Sequence, residues 1–415
     1  MKTGYWHECK LGELIDIKHG FAFQGEHFAN AGTHIVLTPG NFYDEGGFKH
    51  KDDKEKWYKG PVPPDYVLNE GDLIVAMTEQ AEGLLGSSAI IPRSGLYLHN
   101  QRLGLVQVRD EDKVDRRFLY YLFNSKPVRQ QIRSSASGTK VRHTAPSRIA
   151  DVTVRVPPFR VQRRIASILS AYDDLIENNQ RRIKILEKMA RSPYREWFVN
   201  FRFPEHEKVP LADSPLGPIP KGWEVKKLKD VCHLTMGQSP KSKFYNETGE
   251  GQPFHQGVTD FGDRFPTDRL FCTIKGRMAE TGDILFSVRA PVGRMNIADK
   301  QIIIGRGLSA IRHNDGHQAF LWEQLRNRFT EDDMMGNGAI FAAVTKDDMQ
   351  GIELICPPSL LVVVATKHFE PIHSEVATLT RQIQILRRTR DPLLPRLLSG
   401  QIQIVCEQSY ATNPR

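Results

Sequence analysis

The chain repeats itself, and that feature limits its fold more than any other. Trp6-x-x-x-x-Leu11-x-x-Leu14, ending at Gly20, aligns with Trp223-x-x-x-x-Leu228-x-x-Val231, ending at Gly237, at an offset of 217 residues. Glu70-Gly71-Asp72-Leu73-Ile74 then matches Thr281-Gly282-Asp283-Ile284-Leu285 at an offset of 211. The offset settles at 200 from Gly138 and Gly338, through Val152 and Ile352, Val154 and Leu354, and Pro157-Pro158 and Pro357-Pro358, to Ile183-x-Ile185-Leu186 and Ile383-x-Ile385-Leu386. A chain of 415 residues is more than one hydrophobic core usually spans. The repeat divides it into two copies of one plan.

Each copy opens with a stretch of about 150 residues, rich in Gly, Pro and short apolar runs such as Leu73-Ile74-Val75-Ala76 and Ile284-Leu285-Phe286-Ser287, which read as strands between turns. A long helix follows. After Pro157-Pro158 apolar residues recur at Leu169, Tyr172, Ile176, Ile183, Leu186 and Ala190; after Pro357-Pro358 they recur at Phe369, Ile372, Val376, Leu379, Ile383 and Leu386. Steps of three and four over several heptads put each row on one stripe, as a coiled-coil seam requires, and two such stripes are most simply buried against each other. Pro371 predicts a kink or a delayed start, so the second helix is expected mainly from Ile372 onward. Asn179 falls on the first seam where Leu379 falls on the second, either as a polar seam residue that fixes register or as an Asn at the helix margin.

The expected fold class is therefore α+β: two duplicated globular lobes of mixed helix and strand, with two long helices. The predicted boundaries are a first lobe over 1–157, a helix and linker over 158–203, a second lobe over 204–357, a second helix over 358–400 and a tail over 401–415. At 1.5 Å per residue, about 40 helical residues reach roughly 60 Å.

Composition excludes several classes. The apolar run Leu360–Ala365 is far short of the roughly 20 residues of a membrane helix, and Met1–Glu8 carries no apolar signal core. A cytoplasmic protein without a membrane partner is expected. Cys9, Cys232, Cys272, Cys356 and Cys406 form no C-x-x-C pair, and the 14 histidines show no H-E-x-x-H, so neither a disulfide framework nor a metal site is predicted. The net charge is +8, yet residues 101–200 hold 21 basic against 10 acidic residues, or +11. Such concentration fits a polyanionic partner and, equally, a solvated helix surface.

Motifs for catalysis are absent or degenerate. No G-x-x-x-x-G-K-[ST] or G-x-S-x-G occurs. Gly305-Arg306-Gly307-Leu308-Ser309-Ala310 matches a loose dinucleotide pattern, but Asn314-Asp315-Gly316 breaks the chain where a Rossmann helix should run. Pro157-Pro158-Phe159 resembles the tetrapeptide of amino-methyltransferases without the hydrogen-bonding residue that must precede it, since Val156 stands there and Cys356 stands in the second copy. No catalytic residue is assigned.

Recognition remains. Ser137-Gly138-Thr139-Lys140-Val141-Arg142-His143 sets two cations and an imidazole in a loop suited to phosphate and base-edge contacts, or to a plain exposed turn. Arg289, Arg294 and Arg306 stand beside small residues that would let a guanidinium approach a duplex closely. Structural pairing of these arginines with Asp283 or Asp299 is the competing reading.

The run Gly282–Arg294 followed by Gly305-Arg306-Gly307-Leu308 resembles the second target-recognition domain of type I restriction-modification specificity subunits. Ile219-Pro220-Lys221-Gly222-Trp223-Glu224, Arg195-Glu196-Trp197-Phe198 and the closing segment Arg387–Gly400 resemble the same family, so the likeness covers both halves except the last dozen or so residues. The resemblance implies two target-recognition domains, each reading half of a split double-stranded DNA site, separated by two long antiparallel coiled-coil helices that act as a ruler. It also implies docking of two methyltransferase subunits and two motor-nuclease subunits. S-adenosylmethionine, ATP and magnesium would reside on those partners, and no cofactor on this chain. The family's acidic residue and Gln after the double proline reduce here to Val161-Gln162, and the second copy, Leu361-Val362, keeps neither. Implied docking thus rests mainly on the first junction.

A duplicated scaffold that assembles proteins and binds little DNA is the alternative from another class. The ruler has its own test: one heptad inserted after Ile183, matched in the other helix, is expected to lengthen the unread gap between half-sites. Unchanged spacing in a selected-site assay would refute it.

Overall fold

A computed structural model describes residues 6–51, 54–79, 82–138, 141–329 and 344–404. The chain forms two compact units, Met1–Leu175 together with Ile385–Arg415, and Ile176–Gln384.

The first unit is built on strands β1 (Ile15–His19), β2 (Leu73–Ala76), β3 (Ser88–Ile90) and β4 (Leu103–Val108), in the spatial order β1-β4-β2-β3 with every pairing antiparallel. The second unit has β5 (Cys232–Met236), β6 (Ile284–Ser287), β7 (Met295–Ile297) and β8 (Leu308–His313), ordered β5-β8-β6-β7 and likewise antiparallel. One topology is thus used twice.

The central strands β2 and β6 lack the usual polar alternation because both of their faces are covered. Leu73, Val75 and Met77 pack with Phe118, Leu119 and Leu122 of α1 (Arg116–Phe123) and with Ile132 of α2 (Lys126–Ser134). Ile74 and Ala76 turn the other way, onto Ile35, Leu37 and Tyr97 of a second sheet. In the other unit Ile284 and Phe286 meet Leu321 and Leu325 from the helix Gln318–Arg328, while Leu285 meets Ile302 and Ile304. Full burial of each such side chain contributes about 1.5–3 kcal/mol, which makes these runs the centre of each lobe. Asp115 caps α1 by accepting the Phe118 N–H at 2.8 Å.

Each copy clamps an early strand to its last just before the long helix. His7–Lys10 pairs antiparallel with Thr153–Val156, and Glu224–Lys227 pairs with Glu353–Cys356. The helices α3 (Phe159–Phe198) and α4 (Ser359–Leu398) have 40 residues each. The expected late start of the second helix is corrected here, because α4 runs unbroken through Pro371 from Ser359. Pro371 and Lys367, whose carbonyl loses its helical donor, are both exposed, so water can supply the missing bond. Upstream, burial of Val362, Ala365 and Phe369 in a core with Tyr194, Phe198 and Trp223 holds the first turns.

Within the second unit α3 and α4 run antiparallel. Asn179 Nδ2 donates to Gln382 Oε1 at 3.2 Å, and Arg182 pairs with Glu375 at 2.6 Å, so one helix advances as the other recedes. Asn179 is only 5% exposed, which places it on the buried seam and not at its margin. Ile176, Phe369, Ile372, Val376, Leu379 and Ile383 are buried, whereas Ile183 and Leu186 are half-buried. In the first unit Leu169 is fully buried in a cluster with Leu397 and Leu398, and Tyr172 and Leu386 are half-buried.

Between these helices in the first unit lies a polar node. Asp173 accepts from Tyr121 Oη at 2.6 Å and pairs with Arg390 at 2.5 Å. The side chains of Asp173 and Arg390 are 27% and 22% exposed, so the pair is partly desolvated. Asp173→Ala is expected to destabilise this unit by about 1–3 kcal/mol in urea unfolding, since the Tyr121 hydroxyl and one nitrogen of the Arg390 guanidinium lose their acceptor while Arg390 keeps Asp391 at 2.7 Å. Arg182→Ala, which breaks a more exposed pair, should cost under about 1 kcal/mol; equal losses would refute this ranking.

Candidate nucleic-acid interface

At one end of the second unit's sheet three turns come together. Strand β6 ends at Ser287 opposite Leu308, where β8 begins; Met236, the end of β5, lies opposite Ser309; and Met295, the start of β7, lies opposite Phe286. The residues just beyond these ends are 237–239, 288–294 and 305–307, so the fold brings Arg289, Arg294 and Arg306 to one edge. All three side chains are exposed.

The main chain beneath them is tightly fixed. Val288 N donates to Gly307 O at 2.9 Å, and Val288 O accepts from Val344 N at 2.8 Å. Ser287 N donates to Arg294 O at 2.9 Å, while Ser287 Oγ accepts from Arg294 N at 2.8 Å and donates to Pro291 O at 2.6 Å. Arg306 N donates to Ser239 Oγ at 3.1 Å, and Ser239 Oγ donates to Gln256 Oε1 at 2.9 Å. Glycine at 237 is obligatory, since a Cβ there would sit 2.1 Å from the Gly305 carbonyl oxygen. Residues 305–307 turn directly into strand β8, and no helix opens there, so the loose dinucleotide pattern has no Rossmann geometry. Asp283, one of the carboxylates that could have tied down these arginines, is paired instead with Arg312 at 2.6 Å.

The first unit has the same end. Ala76 lies opposite Leu103 and His19 opposite Gly104. Beyond them Met77 N donates to Arg102 O at 3.0 Å, and Met77 O accepts from Thr144 N at 2.9 Å. Thr78 and Glu79 then pair antiparallel with His143 and Arg142. Arg142 and His143 are exposed, two main-chain bonds of 2.9 and 2.8 Å join Ser137 to His143, and Arg148 donates to Ser137 Oγ at 3.0 Å. Lys140 lies outside the described residues.

Sequence reasoning missed Gln101 and Arg102, both exposed at this edge. The signal lay in the repeat: β4 starts at 103 and β8 at 308, an intermediate offset of 205 that sets residues 100–102 against 305–307. Ser239 and Gln256 were also missed, because only the fold brings them beside Arg306.

His99 governs the turn carrying Gln101 and Arg102. It is fully buried, and its Nε2 lies 2.9 Å from the Leu103 carbonyl, so that nitrogen carries the proton and donates. Burial pushes its pKa down to about 4.

The two repeats are recognised as domains. A family model described as the type I restriction modification DNA specificity domain matches residues 4–188 and 220–360. This chain belongs to the type I restriction-modification specificity family. Relatives in the family include the MjaX specificity subunit of Methanocaldococcus jannaschii, 30% identical over 82% of this chain and 80% of that protein. The type I restriction enzyme HindI specificity subunit of Haemophilus influenzae is 22% identical over 69% of this chain and 77% of its own length. Among solved structures, the specificity subunit of a type I system from M. genitalium shares the fold at a TM-score of 0.67 and 16% identity, over 95% of this chain and 96% of that one.

In this specificity protein the folded state keeps His99 neutral down to about pH 4, whereas the unfolded chain takes up a proton near pH 6.5. Its stabilising contribution is therefore complete above pH 6.5 and drains away as pH falls from 6.5 towards 4. Burial shifts His255, His313 and His373 in the same direction. His99→Gln, which can still donate to Leu103 O, is expected to reduce the drop in thermal midpoint between pH 7.5 and pH 5 without abolishing it. An undiminished drop would remove His99 from this account.

Proposed function

We propose that this chain binds double-stranded DNA at a bipartite site, each specificity domain reading one half through the fixed sheet end just described. It serves as the non-catalytic specificity subunit of a cytoplasmic restriction-modification complex. The observation that carries this reading is the duplicated edge: two copies of one rigid main-chain platform, with Arg289, Arg294 and Arg306 exposed on one and Arg142 and His143 on the other. Rigid backbone with long cationic side chains suits direct readout, because the donor positions are set before the duplex arrives. Lys140 belongs to the same proposed set by its place in sequence.

Two methyltransferase subunits dock on this subunit, and two motor-nuclease subunits join them in the restriction complex. S-adenosylmethionine, ATP and magnesium are carried by these partners. The names of the relatives, specificity subunits of type I restriction enzymes, support assembly with other subunits. Among the described residues no helix is long and apolar enough to cross a membrane, and no cluster of three potential metal ligands occurs.

Selection from random-sequence duplexes, with the methyltransferase present, tests the reading against the scaffold alternative. A two-part motif supports DNA reading, and failure to enrich one supports the scaffold. Arg289→Ala, Arg294→Ala and Arg306→Ala are expected to cost about 1–3 kcal/mol of binding wherever a bidentate base contact is lost, relaxing preference only in the second half-site. Equal loss on every sequence would reassign that arginine to phosphate.

A further inference from the structure

The two sheet ends correspond bond by bond. The bond from Phe21 N to His99 O, 2.8 Å, matches that from Gln238 N to Ile304 O, 2.9 Å. The bond from Met77 N to Arg102 O matches that from Val288 N to Gly307 O, and the bond from Thr144 N to Met77 O matches that from Val344 N to Val288 O. Even the tightest approach recurs: a Cβ on Gly20 would lie 2.0 Å from the Asn100 carbonyl oxygen, and one on Gly237 would lie 2.1 Å from that of Gly305.

This correspondence sets Gln101 in the place of Arg306. Each occupies the middle of a three-residue turn between two fixed points, and each side chain is exposed. Each amide is also anchored to the neighbouring segment, Gln101 N on Phe21 O at 3.0 Å and Arg306 N on Ser239 Oγ at 3.1 Å. Arg102, by contrast, falls opposite Gly307, which has no side chain, so no shared reading role falls to that position.

Building on the proposed DNA reading, we infer that positions 101 and 306 are one recognition position used twice, with Gln101 selecting adenine in the first half-site and Arg306 selecting guanine in the second. The chemistry separates the bases. A glutamine amide offers an acceptor and a donor side by side, complementary to adenine N6 and N7, whereas an arginine fork offers two donors, complementary to guanine O6 and N7. Because the backbone is held alike in both units, the identity of the side chain decides the base.

The test uses the full chain purified with its methyltransferase and a random-sequence duplex library. Gln101→Arg is expected to switch one base pair of the first half-site from A·T to G·C, with a change in preference of roughly 5- to 100-fold, and to leave the second half-site unchanged. Arg306→Gln should produce the reverse switch in the second half-site alone. Gln101→Ala should relax the same first-half base pair, which keeps the inference testable if the arginine variant folds poorly. Folded variants that select the wild-type bases, or that lose affinity equally for all sequences, would overturn the inference. If the wild-type complex enriches no two-part motif, the DNA reading itself falls, and the inference with it.

Discussion

Backbone meeting backbone without room for a side chain is the constraint on which the rest of this molecule depends. Gly20 and Gly237 lie so close to the carbonyls of Asn100 and Gly305 that even a methyl group could not fit. That approach seats one turn on the next, and the bonds through Met77 and Val288 extend the seating to a third segment in each unit. Main-chain bonds do not depend on side-chain identity. The edge can therefore keep its shape while the residues projecting from it differ, which a protein needs if its reading surface is to vary over a constant frame.

The layers behind the edge serve that frame. Strands β2 and β6 are buried on both faces, so each is pinned by helices on one side and a second sheet on the other. His99 adds a local brace in the first unit, holding the turn from within by a bond to Leu103. In the second unit Ser239 and Gln256 brace the corresponding turn from its side. The two copies reach one geometry by different polar contacts.

Much of this was legible in the chain. The repeat, the apolar runs that became β2 and β6, and the helical stripes all follow from periodicity, which reports burial directly. Pro371 misled because a proline rule describes an isolated helix, whereas α4 is held on both sides of it by packing. The arginines at 289, 294 and 306 are 17 residues apart at most, and their common edge followed from strand order, which no local pattern encodes. Gln101 escaped notice because a lone exposed glutamine has no signature; only its position in the fold singles it out. Ser239 and Gln256 are of the same kind.

Gln162 has a consequence for how such a gene can change. Fully buried at the start of α3, it accepts from Asp115 N at 3.0 Å and donates to Lys113 O at 3.0 Å and Pro157 O at 2.9 Å, bolting the helix to its lobe through three polar contacts. At the matching place in α4, Val362 sits in an apolar cluster. The twin joints are thus not interchangeable parts. A recombinant that grafts one lobe onto the other's helix would bury an amide against hydrocarbon or leave peptide groups unanswered, so viable exchange of lobes must carry the joint along with the lobe.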